Sequence, residues 1–422
     1  MRARAAALLA ALLAAAALVV GLGASPAAAA TSGPVLFGAV TSNDKGLAGV
    51  KISASNDSGF SGSATTDATG AWEIKTPKSG TYEVVLDEGT LPEGVALAPD
   101  SGNTRTVNAF LGKVRIQFPT GDGVVETTSK WAQAVQLTVD GLLLGLVLAL
   151  SAVGLSLIYG TTGLTNFAHG ELLTLGAVST YVYNNLLHIP LVLAAALALI
   201  TCAILGSIQD RVLWRKLRKR GTGLIAMLVV SIGLGIFLRY VILFFFGGTT
   251  VQYADFNGQA GIQIGLVSIT PKAMVGGVVA IIAILLCVYW LLRTKMGKAS
   301  RAVSDNPALA SASGIDVERV INVVWILGAT MAALAGVLLG MTQGVNWFMG
   351  FQILLLVFAG VTVGGLGTAF GALIGSLLVG LLINLSTLFV PPELKSVGAL
   401  VILILVLIVR PQGLLGRRER VG

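Results

Sequence analysis

The chain has 422 residues, of which 55% are hydrophobic and only 11% charged, and its mean hydropathy is +0.85. That composition excludes a soluble globule, because there is too little polar surface to cover the apolar mass. The formal charge of +8 does not build a nucleic-acid stripe. Residues 31–130 hold 8 Lys/Arg against 11 Asp/Glu and residues 131–422 hold 18 against 9, so the excess falls in loops flanking apolar runs and no nucleic-acid partner is expected.

Residues 1–30 read as a secretory signal, with Arg2 and Arg4 as the basic start, Ala5 to Val20 as the apolar core and Ala27 to Ala30 as small residues suited to cleavage. The same run is close to the length at which a signal and an uncleaved first span converge. Residues 34–118 then alternate in short stretches, the pattern of a small all-β sandwich on the exported side. Strands are expected at 35–40, 50–54, 71–75, 81–86, 104–110 and 113–118, with turn-formers from Asp44 to Gly46, Asp67 to Gly70 and Lys78 to Gly80. Residues 119–135 read as a polar linker.

From 136 to 410 the chain reads as an all-α membrane bundle of eight or nine spans, at 136–159, 168–186, 189–209, 223–246, 271–292, 318–341, 351–369, 370–389 and 394–410. A tail, 411–422, follows. Loop 210–222, loop 293–317 and the tail carry most of the Lys and Arg outside the spans, whereas only Lys272 and Lys395 fall on the opposite side. The positive-inside rule therefore places those loops and the C-terminus in the cytoplasm of a cell-membrane protein and the sandwich outside. Both cysteines, Cys202 and Cys287, stand alone in apolar runs, which gives neither a disulfide framework nor a metal site.

Four groups of residues bear on mechanism. Three glycines, several hydroxyls and Asn166 break the helix between Tyr159 and Glu171, and unwound backbone at membrane depth survives only when buried in protein or lining a cavity. Asn166, His169 and Glu171 are thus candidates for a translocation pathway; Glu171 equally suits the positive end of the next helix, and His169 equally suits a satisfied structural role. Gly367, Gly371 and Gly375 recur every four residues, as do Gly328, Ala332, Gly336 and Gly340, with Gly141 and Gly145 as a third pair, the spacing of close helix packing. Asp140 and Arg239, placed by depth toward the outer ends of two spans, are expected to form an ion pair. In the loop from Thr294 to Glu318, Asp305 and Asn306 are expected to cap a short helix begun by Pro307 and ended by Gly314, with Asp316 capping the long helix that follows.

Two resemblances rest on these residues. The order GAVTSNDKGLAGVKISA…TTDATGAWEIKTPKSGTYEVVL resembles the carboxypeptidase-regulatory-like and Cna B-type sandwich modules of exported proteins, which implies a spacer or a protein-binding surface. LSAVGLSLIYGTTGLTNFAHGELLTLGA closely resembles permease subunits of branched-chain amino acid ABC importers, and LGIFLRYVILFFFG, KMGKASRAVSDNPALASASGIDVERVINVVWILG, FAGVTVGGLGTAFGALIGSLLVGLLINLS and VRPQGLLG match further blocks in order. That resemblance implies a second, related permease subunit, two cytoplasmic ATP-binding subunits, an external solute-binding protein and membrane lipid as partners. It also implies that the loop carrying Lys295, Gly297, Arg301, Asn306, Pro307 and Gly314 meets an ATPase. No G-x-x-x-x-G-K-[ST] occurs, so no cofactor is expected on this chain and ATP is expected to be used by its partners, with no catalytic residue here. Urea and amide importers share the same blocks. The alternatives are an ATP-independent channel or carrier for small solutes such as urea or amides, and a membrane anchor displaying the sandwich.

Overall fold

The computed structural model describes residues 34–42, 45–56, 59–78, 80–92, 95, 97, 102–109, 113–118, 120, 130–255, 261–390, 397, 401, 404, 408 and 413–415. The expected signal, most of the ninth span and most of the C-terminal tail lie outside them. The chain divides into two compact units, Met1–Thr127 and Thr128–Gly422.

The first unit is built from β1 (Val35–Ala39), β2 (Thr41–Ser42), β3 (Lys45–Gly46), β4 (Lys51–Ser55), β5 (Ser61–Thr65), β6 (Ala71–Lys75), β7 (Gly80–Leu86), β8 (Thr104–Ala109) and β9 (Lys113–Gln117). One sheet has the order β6-β1-β9, with β1 antiparallel to β6 and parallel to β9; a second has the order β5-β4-β7-β8, and β2 pairs with β3 in a two-stranded ribbon. Alternation buries one face of each sheet: Leu36, Trp72, Ile74 and Ile116 from the first meet Ile52, Ala54, Tyr82, Val84 and Leu86 from the second in one core. Strand β5, Ser61–Thr65, escapes the sequence reading because it is made of small and polar residues and buries none of them. The turn before β6 is tied by Asp67, whose Oδ1 accepts from the Thr69 amide at 2.8 Å, the Thr69 hydroxyl at 2.6 Å and the Ala71 amide at 3.0 Å.

The second unit is helical: α1 (Lys130–Thr162), α2 (His169–Tyr181), α3 (Leu191–Gln209), α4 (Arg215–Lys219), α5 (Leu224–Phe246), α6 (Pro271–Arg293), α7 (Lys295–Asp305), α8 (Pro307–Ala312), α9 (Val317–Gln343), α10 (Met349–Gly364) and α11 (Ala369–Ser386). Six of these are long and apolar enough to cross a bilayer, α3 running on through a π turn and α4 to Lys219. Two shorter ones, α2 with 13 residues and α10 with 16, stand where spans 168–186 and 351–369 are read from sequence. Helix α1 begins at Lys130, inside the stretch read as a linker. A two-strand hairpin, β10 (Ile262–Ile264) and β11 (Val267–Ile269), precedes α6.

Helices α1 and α9 form the centre, each with 72% of its most apolar stretch buried, against 17% for α5 and 22% for α6. Contact through glycine lets backbones touch. Gly154 of α1 meets Gly328 of α9, Gly141 and Gly145 of α1 meet Gly380 of α11, and Gly371 and Gly375 of α11 meet Gly364 and Gly360 of α10. Gly367 does not share that last seam. It lies in the turn between α10 and α11 with φ 80°, beside Tyr159 and Gly160, so the four-residue spacing of Gly367, Gly371 and Gly375 spans a helix start.

Asp67 carries a pH prediction for the sandwich. The Thr69 hydroxyl first, then the Thr69 and Ala71 amides, hold its carboxyl below the ordinary value of 3.8. Its contribution is therefore complete above the unfolded-state value and is lost as pH falls through the lower folded one. Thermal unfolding of the sandwich followed between pH 5 and pH 2 should show a loss that Asp67→Ala removes, together with a lower melting temperature at pH 7.

Candidate functional site: the broken helix

Helix α1 ends as its last hydroxyls turn back on its own carbonyls: Thr162 Oγ1 donates to Ile158 O at 2.6 Å, and the Leu164 amide then donates to Thr162 Oγ1 at 3.2 Å. Gly163, at φ 67°, reverses the chain. The next residues travel back alongside α1, because His169 Nε2 lies 3.0 Å from Ser151 O. Ser151 stands eleven residues before the end of α1, so α2 starts about 16 Å inside that end at 1.5 Å per residue.

Unwound backbone at that depth needs partners, and side chains supply those of the Leu164, Phe167 and Ala168 amides. Asn166, fully buried, accepts the Ala168 amide on Oδ1 at 3.1 Å, and Ser231 of α5 accepts the Phe167 amide at 3.0 Å. Three buried atoms of the Asn166–Glu171 segment have no hydrogen-bond partner among the described residues, Asn166 Nδ2, His169 Nδ1 and Glu171 Oε2. With Nε2–H donated to Ser151 O, Nδ1 is a bare acceptor, so the segment holds one free donor, on Asn166, and two free acceptors, on His169 and Glu171.

Glu171, in the first turn of α2 and 1% exposed, accepts from Arg239 of α5 through Nε at 3.0 Å and Nη2 at 2.9 Å, both on Oε1. The guanidinium lies 4.1 Å from the Phe351 ring centroid and 5.4 Å from that of Phe348. The expected Asp140–Arg239 pair is not formed. Climbing back along α1 raises Glu171 to the level of Arg239, whereas a span starting at the membrane edge would have left it far below. Asp140 instead takes Gln136 Nε2 at 3.1 Å on each oxygen, and Gln136 in turn clasps Ser268 of β11 through both backbone groups, at 2.8 and 3.1 Å.

A second turn of the same build follows α9. Asn346 Oδ1 accepts the Phe348 amide at 3.0 Å, as Asn166 accepts Ala168, and α10 starts three residues after Asn346 as α2 starts three after Asn166. The two short helices meet near their N-terminal ends: a side chain on Gly170 or on Gly350 would run into the other's carbonyl, and the Gly350 amide donates to Thr174 Oγ1 at 3.1 Å. The sequence reading missed this pair, though the signal is present as Asn-aromatic-x-x-Gly in Asn166-Phe167-Ala168-His169-Gly170 and again in Asn346-Trp347-Phe348-Met349-Gly350.

At the other end of α9 the loop from Thr294 to Glu318 holds two short helices. Thr294 caps α7 through the Gly297 amide at 3.0 Å, Asn306 caps α8 through the Leu309 amide at 2.9 Å, and Asp316 caps α9 through the Arg319 amide at 3.0 Å. Asp305 is the last residue of α7 and does not cap α8. Gly297 packs against the Trp290 and Leu291 backbone, where a side chain would not fit, and Gly314 takes φ 87° after α8. Lys295 and Arg301 lie on α7 and are exposed, as is Pro307 at the start of α8. Loop 210–222 is likewise more ordered than its charge suggested. Buried Asp210 holds Arg218 Nη2 at 2.9 Å and Asn322 Nδ2 at 3.1 Å, Arg218 also reaches Glu318 at 2.9 Å, and Trp214 stacks on Trp325.

Six helices long and apolar enough to cross a bilayer, gathered around a polar break, define a multi-pass membrane protein. The chain belongs to the family described as branched-chain amino acid transport system / permease component, whose model matches residues 137–407. It is 36% identical over 298 residues to the high-affinity branched-chain amino acid transport system permease protein LivH of Salmonella typhimurium, covering 68% of this chain and 96% of that protein. It is 32% identical over 304 residues to BraD of Pseudomonas aeruginosa, with the same coverage, and 28% identical over 276 residues to the ribose import permease protein RbsC of Escherichia coli, covering 62% and 81%.

The Glu171–Arg239 pair sets a direct expectation. Removing one partner of a buried ion pair costs about 3 kcal/mol or more, because the other charge stays buried alone. Glu171→Ala and Arg239→Ala should each lower the unfolding temperature of the detergent-solubilised chain, the exchange Glu171→Arg/Arg239→Glu should recover part of it, and Asp140→Ala should not alter the effect of Arg239→Ala.

Proposed function

We propose that this permease is the membrane-spanning subunit of an ATP-driven importer for branched-chain amino acids or related small polar solutes. The observation that carries the reading is the meeting of α2 and α10 near their N-terminal ends, at Gly170 and Gly350, beside Asn166 and His169 with their free polar atoms. Helix N-termini carry partial positive charge, and two of them together favour a solute bearing a carboxylate. LivH and BraD, named for branched-chain amino acids, resemble the chain more closely than RbsC, named for ribose. On this reading Asn166, His169 and Glu171 belong to the translocation pathway.

The chain is oriented with the sandwich outside and helices α7 and α8 in the cytoplasm. Two ATP-binding subunits grip those helices, a second permease subunit completes the pathway, and an external binding protein delivers the solute. Helix α8 suits a lever: it is stopped by Asn306 and Gly314, it runs into α9 through the Asp316 cap, and its Leu309 is 67% exposed. Closure of the ATPases pulls on α9, the helix packed against both α1 and α2, and so alternates access at the broken segment. The sandwich spaces or steers the binding protein.

Reconstitution decides between this and an ATP-independent carrier. In proteoliposomes, leucine uptake should require the second permease, both ATPases, the binding protein and ATP, and the chain alone should be inert; uptake by the chain alone without ATP contradicts the proposal. Leu309→Asp should cut ATP-driven uptake at least about tenfold, the loss expected of one central contact residue, while the chain still inserts.

A further inference from the structure

Helix α5 is attached to the bundle by a narrow stripe. Its buried residues are Met227, Ser231, Gly235 and Ile242, whereas Ile225, Val229, Phe237, Tyr240 and Phe244 are each more than half exposed. Its fastenings fall on the broken segment in order: the Ser231 hydroxyl on the Phe167 amide, Gly235 against Ala168, and Arg239 on Glu171. Helix α5 is therefore the cover over that side of Phe167–Glu171.

The chain leaves α5 through Gly247, at φ 73°, and residues Thr250–Asp255 lie as a strap across the ends of three other helices. Val251 and Val345 exchange backbone hydrogen bonds at 2.9 and 2.7 Å. Tyr253, 2% exposed, fills a slot at Gly340 and donates to Ala177 O at 3.2 Å. Burial pushes the Tyr253 phenol above its ordinary value, so it stays a donor. The Ala254 amide donates to Asn184 Oδ1 at 2.8 Å, and Asp255 accepts Asn184 Nδ2 at 3.0 Å and the first amide of α3, Leu191, at 2.9 Å. The strap thus ties the ends of α2, α3 and α9, at the end of α9 away from α8.

We propose that α5 and the strap Thr250–Asp255 form one movable shutter over the Asn166–Glu171 segment, closed in this structure and lifted when solute enters. It rests on the translocation reading of that segment. Helix α5 buries little apolar surface, unlike the glycine seams of α1, α9 and α11, so the Glu171–Arg239 pair and the contacts of the strap are what hold the shutter closed until solute enters. Glycines at both ends of α5, Gly221 at φ 67° and Gly247, supply the hinges.

Two arms test this on the assembled complex in proteoliposomes. In the first, the thiol introduced by Ala168→Cys is alkylated with N-ethylmaleimide, and native Cys202, buried in α3, reports general loosening. Tyr253→Phe, which removes the hydroxyl and with it the bond to Ala177 O and the contact with Thr180, should speed alkylation at position 168 by at least about fivefold and leave Cys202 unchanged. Equal rates at position 168, or a matching rise at Cys202, overturn the shutter. In the second arm, Val251→Cys/Val345→Cys is oxidised; hydrogen-bonded antiparallel partners lie about 5.5 Å apart at Cα, within disulfide reach. Uptake should fall at least about tenfold and return with dithiothreitol, and unchanged uptake in fully oxidised complex overturns the shutter. If the reduced complex carries no branched-chain amino acid, the substrate reading fails, and the alkylation arm still decides the shutter.

Discussion

Backbone that leaves the helix inside an apolar bundle must find a partner for every amide, and this constraint organises the second unit. Residues 163–168 run unwound from the end of α1 back into the bundle. Asn166 supplies one acceptor, Ser231 on α5 another, and Thr162 a third. Because these groups come from the break itself and from α5, the break fixes where α5 sits. Because the chain climbs back along α1, it also fixes the depth of Glu171 and with it the pairing to Arg239.

Around the break the molecule is unevenly held. Helices α1, α9 and α11 touch through glycine, so their backbones lie closer than any side chain at those positions would allow. Helix α5 is held by polar contacts on one stripe. The far end of α9 is braced by Asp210, Arg218 and Glu318 together with the stacked Trp214 and Trp325, which ties the end of α3 to the root of α9. Force applied at α8 would therefore be shared by α9 and α3, in keeping with the lever assigned to α8.

Much of the architecture could be read before the fold was known. Apolar length located six helices long enough to cross a bilayer, and period-two alternation located six strands of the sandwich, because those signals come from burial that is local in sequence. Small polar β5 gave no such signal. The caps Asn306 and Asp316 were legible because a cap acts within three residues. The Asp140–Arg239 expectation failed because depth was inferred from a continuous span, and a re-entrant segment breaks the relation between sequence position and depth. The Asn346 turn went unnoticed because its flanking residues differ in size and polarity from those around Asn166, although the hydrogen-bond pattern is the same. Helix α7 and the Asp210 network were hidden inside stretches whose charge marked them as loops.

The most direct measurement of the central claim is a cryo-electron microscopy structure of the assembled complex trapped with leucine. The account predicts leucine density against Asn166–Glu171 and the facing turn at Asn346–Phe351, with its carboxylate toward the N-terminal ends of α2 and α10. Leucine bound along other helices, with the broken segment still packed and untouched, would contradict it.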